Sequence, residues 1–131
     1  MKSLSEIGEI LEDTEILDRD ALLLLAEDSV ENWILSKNKK PTLETKEGFR
    51  LLALQRQGAR GDPSFNACRE TCREIAYHYN LLNLNKNNLE TLNMMRFVVK
   101  HIYLFISGKL VELGLGHFCC SSKSIRETIN E

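Results

Sequence analysis

The chain is predicted to be all-α: an antiparallel helical bundle of four main helices with short N- and C-terminal helices. Three observations carry that expectation. Apolar residues recur at intervals of three and four over long stretches. Only two prolines and seven glycines punctuate 131 residues, too few for a turn-rich β domain. No competing strand candidate emerges, and short connections between long helices place neighbours antiparallel.

The elements follow in order. Ser3 with Glu6 three residues later is a capping box, which opens a short helix over 3–13 through Leu4, Ile7 and Leu11. Asp18 or Asp20 caps the first main helix, about 18–37, with Leu22, Leu25, Ala26, Val30 and Trp33 on its apolar side. The stretch Ser36 to Pro41 is polar and reads as a connection. Thr42 is expected to cap the second main helix, about 42–57, with Glu44 and Glu47 in its first turns, where the helix dipole favours acids. Gly48 lies inside that helix at a cost of about 1 kcal/mol.

Gly58 is read as the stop, and Asp62-Pro63 as N-cap and N1 of the third main helix, about 63–82. Its residues Phe65, Cys68, Cys72, Ile75, Tyr79 and Leu82 form a packing stripe. Asn66, Arg69, Arg73, Tyr77 and Asn80 form a separate polar stripe. Asn87 with Glu90 repeats the capping logic before the longest helix, about 88–113. There Leu92, Met95, Val99, Ile102 and Ile106 make one apolar line, and Met94, Val98, His101 and Phe105 a second. Asn93, Arg96, Lys100 and Ser107 are left as a narrow polar stripe. A helix apolar over most of its girth is central or buried in a dimer. Gly114 ends it, and the tail 114–131 holds a last capping box at Ser124 and Glu127.

Composition bounds the function. One domain of this length buries roughly two-thirds of its unfolded surface, and 43% apolar with 27% charged residues are ordinary globular values. The longest nearly apolar run, Phe97 to Ile106, contains Lys100 and His101 and is too short to span a bilayer. The amino terminus turns acidic where a signal peptide would turn apolar, so the expected location is cytoplasmic. Net charge is −2, yet residues 1–31 carry ten acids against two bases, and the remainder fifteen bases against nine acids. Such polarity steers a charged partner, pairs subunits, or is neutralised within the fold.

Chemistry is sparse. Nucleophile elbows, Walker loops, dinucleotide-type glycine fingerprints and His-Glu-x-x-His are absent. Cys68 and Cys72, one turn apart with His78 or His101, offer thiolates to a metal, but both fall on the packing stripe. His117-Phe-Cys-Cys120 is a second thiol cluster, better read as a tail that packs Phe118. Arg60-Gly-Asp62 matches an adhesion tripeptide by letter only. An anion site at the helix start beside Arg60 is opposed by Asp62 as cap.

The sharpest surface is basic. Arg69 and Arg73 are like charges one turn apart on an outer face, with no packing reason to be there. With Arg56, Arg60, Tyr77 and Asn80 they form a candidate partner-binding surface for planar, bidentate recognition. The expected function is a small non-enzymatic protein-protein interaction, regulatory or assembly factor, with no cofactor and no metal. Its partners would be a protein with an acidic surface, or a second copy forming a homodimer through helix 88–113. Ranked behind are a nucleic-acid-associated accessory protein using the basic segment 37–73, and then a thiol- or metal-dependent enzyme.

Overall fold

The computed structural model describes residues 1–112. The all-α expectation holds across them: α1 spans Leu4–Glu12, α2 Arg19–Ser36, α3 Arg50–Ala59, α4 Arg69–Leu81 and α5 Leu89–Glu112, with a 3-10 segment at Pro63–Cys68. The tail capping box and the His117, Cys119 and Cys120 cluster lie outside the described residues.

Three helix starts are capped by side chains, two of them by the residues that the sequence nominates, Ser3 and Asp18, and the third by Asn88 rather than Asn87. Ser3 Oγ accepts from the Glu6 N–H while the Glu6 carboxylate accepts from the Ser3 N–H. Asp18 accepts from the Ala21 N–H at 2.8 Å, and Asn88 from that of Thr91 at 3.0 Å. At the end of α2, Asn38 takes a left-handed φ of 59°, the usual exit from a helix. Lys37, Lys39 and Lys40 therefore follow the negative end of the α2 dipole.

Two expected helices are shorter than their pattern. The second begins at Arg50, not Thr42. Glu47 and Gly48 have φ of 53° and 86°, a tight turn closed by paired backbone bonds between Lys46 and Phe49 at 3.0 Å. Gly48 is thus a turn residue that needs positive φ, and Thr42 accepts from the Glu44 N–H in its own local turn. Arg50 fixes the start instead. Its guanidinium pairs with Glu27 and Glu31 of α2 and donates to the Thr42 carbonyl.

The third helix is divided. Pro63–Cys68 is 3-10 before α4 begins, and Asp62 makes no side-chain cap bond. Its carboxylate accepts from Ser64 Oγ and pairs with Lys37 at 3.7 Å and Lys109 at 3.8 Å. Two cross-bundle bases compete successfully with the local amides for that acid.

The stripe of α2 and the first apolar line of α5 pack as expected, while Met94 and His101 of the second line are exposed. Leu22, Leu25, Ala26, Val30 and Trp33 of α2 and Leu92, Met95, Val99, Ile102 and Ile106 of α5 are all in the core. Cys68 and Cys72 are buried free thiols among them; the Cys68 thiol donates to the Phe65 carbonyl. Tyr79 near the end of α4 donates to Asp20 near the start of α2, whereas Phe65 before α4 stacks on Trp33 near the end of α2. These contacts run α4 antiparallel to α2, and the 82–88 turn does the same for α4 and α5. The long return over 37–49 lets α3 lie beside α2 in the same sense, with Arg50 at Glu27 and Glu31 and Gly58 at Trp33.

Gly58 is inside α3 rather than its stop. A Cβ there would lie 2.7 Å from Phe65 Cε2 and 3.0 Å from Trp33 Cδ1. Only glycine lets the helix approach the stacked rings, whose centroids are 5.0 Å apart at 6°. The Trp33 indole N–H donates to the Gly58 carbonyl at 3.0 Å. No helix among the described residues is long and apolar enough to cross a membrane.

Candidate functional site: a basic end of the bundle

Trp33 is fully buried, and its ring is roofed by charge. Lys37 Nζ lies 4.6 Å and Lys109 Nζ 5.3 Å from ring centroids of the indole, a favourable placement of cations on a π face. Both ammonium groups also face Asp62, and Lys109 donates to Ser64 Oγ. The Ser64 hydroxyl, with the two lysines behind it, holds the Asp62 carboxyl below the usual range. This knot ties the ends of α2 and α5 to the loop before the 3-10 segment, and engages Lys37, Lys109 and Asp62 structurally.

Around the knot lie two adjoining grooves that share Gln57 and Arg60. One, of about 190 Å³, is lined by Trp33, Ile34, Lys37, Lys39, Gly58, Gly61 and Asp62 besides the shared pair. The other, of about 550 Å³, runs between the 40–46 loop and α3, with Lys40, Lys46, Ala53 and Arg56 in its walls. The Gln57 amide fixes the wall between them. Its oxygen accepts from the Thr42 N–H and its nitrogen donates to the Lys40 carbonyl, both at 2.8 Å. One side chain thus substitutes for a backbone pairing and holds the loop open against α3.

Among the described residues, no acid lies within ion-pair distance of Lys39, Lys40, Lys46, Arg56 or Arg60. Glu44 is the one carboxylate in the larger groove's lining. Leu43 sits among these bases with 82% of its surface in water.

The six residues singled out by sequence are separated. Arg56 and Arg60 belong to these grooves. Arg73, Tyr77 and Asn80 line a different one, of about 190 Å³, with Glu47, Phe49, Leu52 and Ala76. Arg73 is engaged: its guanidinium forms a bidentate pair with Glu47 at 2.9 and 3.1 Å. These bonds, with help from Lys46 and Arg69, pull the Glu47 carboxyl below its usual range. The like-charge strain between Arg69 and Arg73 is relieved by an acid from another element. Tyr77 is 60% exposed and meets His78 edge-on. His78 Nδ1 is bonded to the Glu74 carbonyl at 2.7 Å, and His101 is exposed rather than in the core.

Lys39, Lys40 and Lys46 line the same grooves; the sequence reading placed them in a connection and a helix and counted them only within the basic segment 37–73. The signal was the Lys37-Asn-Lys-Lys40 run beside a helix end. Among the described residues no three metal-binding side chains cluster. Comparison with protein-family models, curated proteins and solved structures finds no match to this chain.

Proposed function

We propose that this chain is a binding protein, an interaction or assembly factor, that takes an acidic segment of a protein partner at its basic end. The carrying observation is the convergence of Lys39, Lys40, Lys46, Arg56 and Arg60, none within ion-pair distance of an acid among the described residues, on two grooves whose shared wall Gln57 fixes. Charge left uncompensated around a concave surface concentrates oppositely charged ligands and speeds their capture. Arg56 and Arg60 supply planar donors suited to carboxylates.

A protein partner is favoured over nucleic acid by what lies between the charges. Leu43, Pro41 and Ala53 give the larger groove apolar ground for a side-chain anchor. The ring that could stack a base, Trp33, is fully buried, and stacking is what single-stranded nucleic acid needs. The bases of 37–60 do converge, which keeps nucleic acid as the competing outcome.

Fluorescence anisotropy with a glutamate-rich peptide carrying leucines tests the reading. Arg56→Glu with Arg60→Glu is expected to weaken binding by at least about tenfold, with the helical circular-dichroism signal unchanged. Added salt is expected to weaken it further. Equal affinity of that folded double variant would sink the proposal, and preference for an oligonucleotide over the peptide would transfer the site to nucleic acid.

A further inference from the structure

The outer face of α5 carries a second apolar stripe. Met94, Phe97 and Leu104 are 48%, 56% and 41% exposed, and His101 is exposed between them, its ring 4.4 Å from that of Phe97. The spacings are three and four, continuing to Gly108 and the half-buried Val111, the seam of one helix packing on another. The core is served by other residues, with Met95, Val98, Val99, Ile102 and Ile106 facing inward.

The stripe is symmetric in chemistry. Level with Val99, rings stand two residues to either side at Phe97 and His101. Long aliphatic chains stand five residues to either side, at Met94 and Leu104. A two-fold axis at that level, perpendicular to the helix, lays ring on ring and aliphatic on aliphatic. This self-complementarity is what an isologous contact requires. We infer that a second copy of this chain packs on α5 in antiparallel register, Met94 against Leu104 of the other copy and Phe97 against His101 of the other copy.

The area fixes the strength. A helix of 24 residues is about 36 Å long and 10–12 Å across. Two such faces give roughly 800 Å² in projection, the range of a weak and transient association. Charge opposes the pairing. Lys100 is exposed one residue from the axis, so its symmetry mate approaches it. Salt therefore strengthens this dimer, opposite to its effect on an acidic partner at the basic end.

Sedimentation velocity on the full chain from micromolar to millimolar concentration tests the inference. A concentration-dependent dimer is expected, tighter in high salt and with Lys100→Ala. Phe97→Glu is expected to be monomeric with unchanged helical signal, and Arg56→Glu with Arg60→Glu to dimerise normally. Orientation is read by charge exchange. Met94→Lys alone weakens the dimer, and adding Leu104→Glu restores it, because position 94 then faces its opposite charge across the axis. In parallel packing like charges would meet and the double variant would stay monomeric, which overturns the register. A wild-type chain monomeric at every concentration in high salt, leaving the face to some other protein, overturns the dimer itself.

Discussion

The two ends of the bundle use arginine in opposite ways. Where α1 leads into α2 and α4 into α5, Arg96 donates to the carbonyls of Ile10, Leu11, Asp13 and Glu15. Arg19 donates to the Tyr79 carbonyl and to Asn83 Oδ1, with its guanidinium 4.2 Å from the Tyr79 ring centroid. Both are connectors that close helix ends. At the other end Arg56 and Arg60 bridge nothing among the described residues, and lysines already secure the loop through Asp62. The same residue type is scaffold at one end and free surface at the other. Partner geometry, not residue type or stripe position, decides which.

Breaking that contrast should have its largest effect at Arg96. Arg96→Ala removes the donor for four carbonyls and is expected to cost about 2–3 kcal/mol. A lowered urea midpoint with unchanged slope would report it. Arg56→Ala and Arg60→Ala should each stay within about 0.5 kcal/mol. Comparable losses at all three positions would erase the distinction between the ends.

Gly58→Ala comes next and sharpens the contrast from beneath. Alanine is better than glycine in a helix by about 1 kcal/mol. Here its Cβ would enter the Trp33–Phe65 stack at 2.7 Å from Phe65, and overpacking costs about 1–3 kcal/mol. Thermal unfolding is expected to show a net loss of up to about 2 kcal/mol. A stabilised variant would mean that the rings yield and that the floor of the basic end is soft.

How legible this was in sequence follows from the range of the interactions. The stripes of α2 and α5, the Ser3 and Asp18 caps and the buried cysteines depend on period and near neighbours, and all were readable. Thr42 as a helix start was not, because the start at Arg50 is set by Glu27 and Glu31, which lie far away in sequence. The same holds for the site. Arg56 and Arg60 were readable as basic. That Glu47 would occupy Arg73 depended on a turn at Glu47-Gly48 that the helical pattern concealed. On α5 the two apolar lines were visible, but which would face out was decided by where α2 and α4 pack. Met94 and His101 turned outward while Val98 turned in.

Glu27 gives a smaller, pH-dependent contrast between an arginine that holds structure and the acid beneath it. Burial raises its carboxyl above the usual 4.5, only partly offset by Arg50. A raised carboxyl binds its proton more tightly folded than unfolded, so its contribution falls as pH rises from about that value through the raised one. Glu27→Gln is expected to remove that segment of the stability–pH curve. An unchanged slope between the wild type and the variant would assign the effect to another acid.

The smallest effect concerns Arg73, which the sequence reading grouped with Arg56 and Arg60 and which the structure pairs with Glu47. Glu47 is exposed and its carboxyl is lowered by Arg73. A lowered carboxyl stabilises the fold above its unfolded value and loses that contribution as pH falls through the folded one. Exposure and salt screening make the stability change slight. The informative readout is binding. Glu47→Gln frees the Arg73 guanidinium beside Arg69 and extends the uncompensated charge around α3. Affinity for the glutamate-rich peptide should rise modestly, and the rise should vanish when Arg73→Ala is added. If Glu47→Gln leaves affinity unchanged, the ligand does not reach past α3, and the site ends at Arg56 and Arg60.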